Sequence, residues 1–286
     1  MMFRAFAIAG AVLALFQVSP AGASGGLAAR GYSFALTLPD GRVLGSAELV
    51  GAVLDMDDPS GRPVTARIDH VMPSRERSDI LLHSLSVLNP ATGQWGPMCD
   101  ADITGRRAAF PVPGRWDAQK RYVKDATRWF LTCTAGSQGK CILWGYDPWR
   151  TGPHGEDLTD FYGACQHMVP ADYQGNGVPH TRNGTDIDVW DTAGVQNPES
   201  LNDPAFAFEA GWSPTGAVCV AKTRWSNLLP LRTLLESAPG LAASPCDEAE
   251  ARRRGALLFN RSRLVPRTQA PALETTQSTS GAGGRT

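Results

Sequence analysis

The stretch from Phe130 to Asp191 decides the fold. It opens with FLTCTAGSQGKCILWGYDPW (residues 130–149) and ends with DFYGACQHMVPADYQGNGVPHTRNGTDIDVWD (residues 160–191). Three of the six cysteines, three of the eight tryptophans and three of the five histidines of the chain lie in it. No other segment combines aromatic residues, cysteines, glycines and acids so densely, and no known catalytic signature occurs in it. The stretch therefore gives evidence about the fold of the chain, but it does not identify a reaction.

The N-terminus has the three-part order of a secretory signal peptide. One arginine, Arg4, precedes an apolar run from Ala5 to Val18, and small residues lead up to Ala23. The run is shorter than the roughly 20 residues that a helix needs to span a bilayer. We therefore expect residues 1–23 to be removed after Ala23, and a periplasmic or secreted mature protein without a membrane span.

The six cysteines predict disulfides, because an even cysteine count in an exported chain favours bonded over free thiols. Two arrangements remain open in the Phe130–Asp191 stretch: Cys133 could face Cys141 across a hairpin, or Cys165 could take either of them. In the C-terminal part, a bond between two further cysteines would hold the helices there. The disulfide candidates are Cys99, Cys133, Cys141, Cys165, Cys219 and Cys246.

Alternating apolar residues and closely spaced turns predict a β-rich α+β fold of antiparallel sheets with a few short helices, reinforced by disulfides. Apolar residues at three- and four-residue intervals predict a helix over Leu158–Met168, with Asp157 as its N-cap. Cys141–Tyr146 is predicted to be a strand, and Leu231–Ser237 and Asp247–Phe259 are predicted to be helices. Further strands are expected between Gly31 and Leu88, over Arg128–Thr134, over Phe206–Trp212 and over Ala217–Ala221.

The strongest candidates for chemistry are His180, Asp186 and Asp188. On a strand the two aspartates face the same side, where two carboxylates can hold a metal or shift each other's pKa. The simpler interpretation is that Ile187 and Val189 face inward and the aspartates form the solvated face of an ordinary strand. We favour the simpler interpretation.

Two weaker candidates are a calcium loop and a carbohydrate site. Asp172, Gln174 and Asn176 lie at alternate positions before Gly177, as in a calcium-binding loop, but Asn183 stands where the loop requires a bidentate glutamate. A turn held by local side-chain hydrogen bonds explains the same residues, so we expect no metal and no cofactor. Three aromatic residues could stack on a sugar, although large side chains of this kind more often fill a core. They are Trp144, Tyr146 and Trp149.

Four separated motifs resemble the ADYC domain of exported bacterial proteins. They are KCILWGYDPW (140–149), ADYQG (171–175), PHTRNGTDID (179–188) and FEAGWSPTGAVCV (208–220). The family is named after Ala-Asp-Tyr-Cys, and Gln174 occupies the fourth position here. The resemblance implies that the disulfide made by this cysteine in relatives is absent. It implies an exported context and a fold, but no activity, because the function of the family is unknown.

The resemblance covers about Cys99 to Cys246 and divides the chain. We expect a signal peptide (1–23), an N-terminal β portion (24–98), an ADYC-like domain (99–266) and a disordered tail (267–286), the tail being poor in large apolar residues.

Two classes of function are open. The first is a non-catalytic binding or structural module of the cell envelope, whose partner is an unknown protein or an envelope component. The second is a secreted hydrolase or metal-dependent enzyme that uses His180, Asp186 and Asp188. The 27 basic and 28 acidic residues nearly balance, which gives no argument for a nucleic-acid partner. The first class is favoured, because the acids and the histidine lack any further signature.

Overall fold

Antiparallel β-sheet dominates the structure, a computed structural model that describes residues 15–17, 26–58, 61–119 and 121–264. The predicted fold class, a β-rich α+β protein with short helices and disulfides, is confirmed. Residues 1–14, 18–25 and 265–286 are not described. The predicted tail lies outside the described residues, and so does the predicted signal peptide except for residues 15–17.

The strands in chain order are β1 (Leu15–Gln17), β2 (Leu27–Arg30), β3 (Ser33–Thr37), β4 (Val43–Gly45), β5 (Val53–Asp57), β6 (Pro63–Pro73), β7 (Leu81–Leu88), β8 (Trp95–Pro97), β9 (Ala109–Pro113), β10 (Arg115–Trp116), β11 (Tyr122–Val123), β12 (Trp129–Cys133), β13 (Ile187–Asp191), β14 (Phe206–Ser213), β15 (Gly216–Val220) and β16 (Leu258–Arg263). The helices are α1 (Ser137–Leu143), α2 (Thr159–Met168), α3 (Leu231–Ser237) and α4 (Glu248–Arg253), and 3₁₀ turns cover Ser46–Leu49 and Pro239–Leu241.

Two larger sheets organise these elements. The first has the order β1-β5-β6-β7-β9-β12, with β8 also paired to β7, and its pairs are antiparallel except for the parallel pair β1–β5. The second has the antiparallel order β13-β16-β14-β15. Smaller sheets are β2-β3-β4 and β10-β11. Strands from both sides of residue 98 share the first sheet, so the N-terminal β portion and the following segment are built together.

Helix α2 lies where its apolar pattern predicts. Phe161, Tyr162, Cys165 and Met168 are all buried and lie on one side of the helix. The helix contacts α1 and the strands β14, β15 and β16 of the second sheet. The N-cap is Leu158 and not the predicted Asp157. The Asp157 carboxylate accepts a hydrogen bond from the backbone N–H of Thr159 (2.9 Å) in the turn that leads into the helix.

The predicted strand Cys141–Tyr146 is wrong, because this segment forms α1 and its exit. Cys141 and Ile142 are fully buried, and a disulfide ties α1 to the neighbouring α2. The apolar and β-prone residues of the run are equally suited to a short buried helix. Tertiary packing, and not the local preference of the residues, therefore determines that this segment is helical.

The predicted helix Asp247–Phe259 is wrong in its second half. Asp247 caps α4 by accepting from the N–H of Glu250 (2.8 Å), but the helix ends at Arg253. Gly255 then takes φ +82°, a left-handed conformation that ends helices. Phe259 belongs instead to β16, which lies in the middle of the second sheet between β13 and β14.

All three disulfides join elements that are distant in sequence. The proposed hairpin bond between Cys133 and Cys141 is wrong, and the alternative in which Cys165 bonds to Cys141 is found. The bonds are Cys99–Cys133, Cys141–Cys165 and Cys219–Cys246. None of the cysteines in the described part of the chain is free. The last bond joins β15 to the residue before the N-cap of α4, as expected for a bond that holds the C-terminal helices.

His83 on β7 is a fully buried histidine of the first sheet. Its ring packs edge-on against Phe34, with 5.0 Å between ring centroids. Burial lowers the pKa of His83 to about 4, and the carbonyls of Ala109 and Leu81 oppose this shift only in part. The side chain is therefore neutral in the folded protein at neutral pH.

This burial predicts a loss of stability in mild acid. Between the ordinary histidine pKa of 6.5 and the folded value of about 4, the unfolded chain binds more protons, so stability falls as the pH falls. We expect His83 to account for a loss of about 2 kcal/mol of unfolding free energy between about pH 7 and about pH 5. Denaturant unfolding at both pH values should show that His83→Phe removes this pH dependence. The matched change at the exposed His70 on β6, His70→Phe, should retain it. Equal pH dependence in the two variants would contradict the assignment.

Candidate functional site

The segment Ala171–Gln174 occupies the corner between the end of α2 and the turn that joins β14 to β15. Ala171 is fully buried and has φ +56°, a left-handed conformation that costs a residue with a side chain roughly 1–2 kcal/mol. The surrounding contacts must hold this backbone in place. Asp172, Tyr173 and Gly175 each make a different contact that does so.

Asp172 fixes the turn that follows. Its carboxylate accepts from the backbone N–H groups of Asn176 (3.0 Å) and Gly177 (2.8 Å), and from Nδ1 of His167 (2.9 Å). Burial alone raises the pKa of Asp172, but the hydrogen bonds from His167 and Gly177 outweigh it and hold the pKa below its ordinary value. The second ring nitrogen of His167 lies 3.1 Å from the carbonyl oxygen of Pro214, which ties α2 to the β14–β15 turn.

Gly175 allows the corner to approach that turn closely. Its φ is +65°, and a Cβ atom at this position would lie 2.0 Å from the carbonyl oxygen of Thr215. The backbone N–H of Ala217 donates to the carbonyl of Tyr173 (3.0 Å) across the same contact. A residue with a side chain therefore cannot replace Gly175 without separating the two segments.

Tyr173 places a phenol in the interior. Its ring stacks on Trp212, with 5.3 Å between centroids. Its hydroxyl donates to Oε1 of Glu209 (3.1 Å) and accepts from the backbone N–H of Arg224 (2.7 Å). Burial raises the pKa of Tyr173 well above its ordinary value, so it stays a neutral donor.

Glu209 and Arg224 form a buried ion pair at the centre of this network. Their side chains are 0% and 1% exposed, and two hydrogen bonds of 3.0 Å join them. Burial raises the pKa of Glu209, but the charge and hydrogen bonds of Arg224 outweigh this and lower it overall. The guanidinium also donates to the carbonyls of Met168 and Val169 at the end of α2, both at 2.8 Å.

Gln174 points the other way, to the surface. Its amide nitrogen donates to the hydroxyl of Ser237 on α3 (3.2 Å). It borders an open recess of ≈ 280 Å³, which is lined by Tyr173, Gln174, Thr215, Ala217, Ala238, Gly240 and Leu241. The position that is cysteine in the family name is therefore an exposed amide at the rim of a shallow recess.

The three predicted site residues each have a different structural partner. Nδ1 of His180 lies 3.2 Å from the carbonyl oxygen of Ala171. The exposed carboxylate of Asp186 pairs with Nε of Arg263 (3.1 Å). The described contacts therefore tie these two side chains to different parts of the structure.

Asp188 is not on a solvated face, which corrects that part of the simpler interpretation. It is only 9% exposed. Its carboxylate accepts from the backbone N–H groups of Glu199 (3.0 Å) and Ser200 (2.9 Å) and from the Ser200 hydroxyl (2.6 Å). Burial raises its pKa, but these hydrogen bonds hold the pKa of Asp188 below its ordinary value. The alternating pattern did predict the strand, β13.

Asp191, at the end of β13, anchors the following loop in the same way. It accepts from the backbone N–H groups of Ala193 (2.7 Å), Val195 (3.2 Å) and Gln196 (2.7 Å). The hydroxyl of the fully buried Tyr146 donates to it as well (2.8 Å).

The carbohydrate and metal candidates also have structural contacts. Tyr146 was described above. Trp149 packs on Tyr32 with 4.9 Å between ring centroids, and Trp144 is partly buried against the hydrophobic cluster that contains Tyr146. Asp172 and Asn176 belong to the turn described above. Residues 26–58, 61–119 and 121–264 contain no group of three or more histidine, cysteine or acidic side chains that could hold a metal ion.

Sequence reasoning missed Glu209 and Arg224. A signal for the first was present, because Glu209 is the single charge in an otherwise apolar strand, FAFEAGW, and a buried charge requires a partner. Nothing in the sequence identifies Arg224 as that partner, since many other cations are available.

A family model described as the ADYC domain matches residues 46–226, which is more than half of the chain. The chain belongs to the ADYC domain family. The match includes the corner at Ala171–Gln174 together with Glu209 and Arg224. It begins at Ser46, in the 3₁₀ turn before β5, and therefore upstream of Cys99. No curated protein and no solved structure matches the chain significantly.

The buried ion pair and the exposed pair predict very different mutational costs. Glu209→Gln leaves the guanidinium of Arg224 buried without its counter-charge, and we expect it to cost about 3–5 kcal/mol of unfolding free energy. The matched change at the surface, Asp186→Asn, breaks the pair with Arg263 and should cost at most about 1 kcal/mol. Denaturant unfolding at neutral pH measures both. A loss at Glu209→Gln no larger than that at Asp186→Asn would show that the pair does not hold the fold.

Proposed function

We propose that this ADYC domain protein is an exported, non-catalytic binding module of the cell envelope. The observation that carries the proposal is the bonding of four of its buried acids. Asp172, Asp188 and Asp191 each accept hydrogen bonds from two or more backbone N–H groups, and Glu209 is bonded to Arg224. Carboxylates held in this way stabilise loops and are poorly placed to exchange protons with a substrate.

The alternative, a hydrolase or metal-dependent enzyme using His180, Asp186 and Asp188, has less support. A general base must reach the proton that it abstracts, and a nucleophile needs an activating base within hydrogen-bond distance. The side chains of the three residues instead bond to Ala171, to Arg263 and to the Glu199–Ser200 backbone. A cysteine nucleophile is not available either, because all six cysteines form disulfides.

The disulfides indicate an oxidising compartment, either periplasmic or extracellular. None of the helices in the described part of the chain has the length and apolar character of a membrane span. Export by a cleaved signal peptide agrees with both findings and is the second part of the proposal.

The recess beside Gln174 is the surface that we propose for binding. It is concave and open, and it combines an amide, a hydroxyl and apolar side chains over the buried Tyr173. Its occupant would be an envelope component or an envelope protein. An aromatic side chain at position 174 would fill the recess without disturbing the buried network below it.

Binding to the envelope can be measured by co-sedimentation of the mature protein with purified envelope fragments. We expect saturable binding that Gln174→Trp weakens at least roughly tenfold, because the indole fills the recess and excludes its occupant. The matched substitution at an exposed turn residue, Gln94→Trp, should leave binding unchanged. Equal binding by both variants, or no saturable binding by the unsubstituted protein, would contradict the proposal. The triple alanine variant of His180, Asp186 and Asp188 should retain binding wherever it remains folded, and loss of a measurable hydrolytic activity in that variant would favour the enzyme.

Export has its own test. Intact-mass spectrometry of protein recovered from the periplasm or the medium should show Ser24 as the first residue, as expected for cleavage after Ala23. Recovery of the protein only from the cytoplasm, with residues 1–23 still present, would contradict export.

A further inference from the structure

The sequence contains two Asn-Gly pairs, Asn176-Gly177 and Asn183-Gly184, in the segment between α2 and β13. All four residues are exposed. Exposure to water therefore does not distinguish the two pairs, and any difference in their chemistry must come from their hydrogen bonds.

Asparagine followed by glycine is prone to deamidation in water. The backbone nitrogen of the glycine attacks the side-chain carbonyl carbon of the asparagine, a new C–N bond closes a five-membered succinimide, and ammonia leaves. Water then opens either carbonyl of the ring and gives aspartate or isoaspartate. Glycine favours the attack because it has no side chain to hinder it. The reaction requires that the glycine N–H can lose its proton and that the asparagine side chain can turn toward it.

The pair Asn176-Gly177 meets neither requirement. The N–H of Gly177 donates to the carboxylate of Asp172 at 2.8 Å, and a hydrogen bond to an anion opposes loss of the proton. The Asn176 side chain is held at both ends: its oxygen accepts from the N–H of Val178 (3.0 Å), and its nitrogen donates to Gln174 (3.3 Å). Attack at this site would break all three hydrogen bonds.

The pair Asn183-Gly184 meets both requirements for the reaction. Within the described chain, neither the side chain of Asn183 nor the N–H of Gly184 takes part in a hydrogen bond, although the next residue is anchored. Thr185 donates through its hydroxyl to the carbonyl of Arg182 (2.8 Å) and accepts from Nε1 of Trp225 (2.8 Å). The loop is thus fixed on one side of the pair, while the two reacting groups are free.

We propose that Asn183 is a site of spontaneous deamidation in the folded protein and that the turn around Asp172 protects Asn176 from the same reaction. The product adds a negative charge beside Arg182, whose guanidinium lies 4.6 Å from the centroid of the Trp225 ring. The isoaspartate form also lengthens the backbone of the loop that leads into β13. The inference does not depend on the proposed binding function.

The test is peptide mapping of the mature protein after incubation in warm, mildly alkaline buffer. Replacement of the side-chain NH₂ by OH is read as a mass increase at each asparagine, with digestion at low pH to prevent the reaction during analysis. We expect Asn183 to react at least about tenfold faster than Asn176, the factor that a hydrogen bond to a charged group represents in a rate.

The same measurement in denaturant supplies the control, because unfolding removes the hydrogen bonds that protect Asn176-Gly177. There the two sites should react at similar rates, so that only Asn176 is slowed by folding. The variant Asn183→Gln should abolish the reaction at that position, since closure of a six-membered ring is slower. Equal rates at both sites in the folded protein, or a faster reaction at Asn176, would overturn the proposal.

Discussion

Removing Glu209 and Arg224 from water costs several kcal/mol per ion, and their attraction offsets this only when every remaining polar atom has a partner. The structure meets that condition. The Arg224 guanidinium donates hydrogen bonds to two backbone carbonyls at the end of α2, and the Glu209 carboxylate accepts one from the hydroxyl of Tyr173. One ion pair thereby links a helix end, a central strand and the corner at Ala171–Gln174. The left-handed backbone of Ala171 persists because these contacts hold it on both sides.

Other buried acidic side chains of the ADYC region are also fully engaged in hydrogen bonds. Three of its buried aspartates bond to backbone N–H groups of loops that would otherwise leave those groups unpaired. A fourth, Asp147, bonds instead to the side chains of Tyr32 and Arg77. A dense mixture of acids, aromatics and cysteines in a sequence invites interpretation as an active site. In this chain the mixture builds long loops that carry little regular secondary structure. Gln174, at the rim of its recess, is one of the exposed side chains of this region.

The sequence predicted the parts of the structure that depend on local patterns. The apolar spacing gave α2, alternation gave β13, and turn residues separated β14 from β15. It failed at Cys141–Leu143 and at Leu258–Phe259, where apolar residues suit a helix and a strand equally and distant packing decides. The sequence also could not determine that Cys141 bonds to Cys165 or that Glu209 pairs with Arg224. A sequence shows that a cysteine or a buried charge requires a partner, but only the fold brings the partner to it.

The position of β16 has a consequence for how the protein is made. This strand is the last one in the described chain, yet it lies between β13 and β14. The sheet that contains Glu209 therefore cannot be completed until β16, the last of its strands in sequence, has been synthesised. A nascent chain that ends before β16 lacks the strand that joins β13 to β14. Such an order of assembly leaves the second sheet incomplete until its C-terminal strand is available.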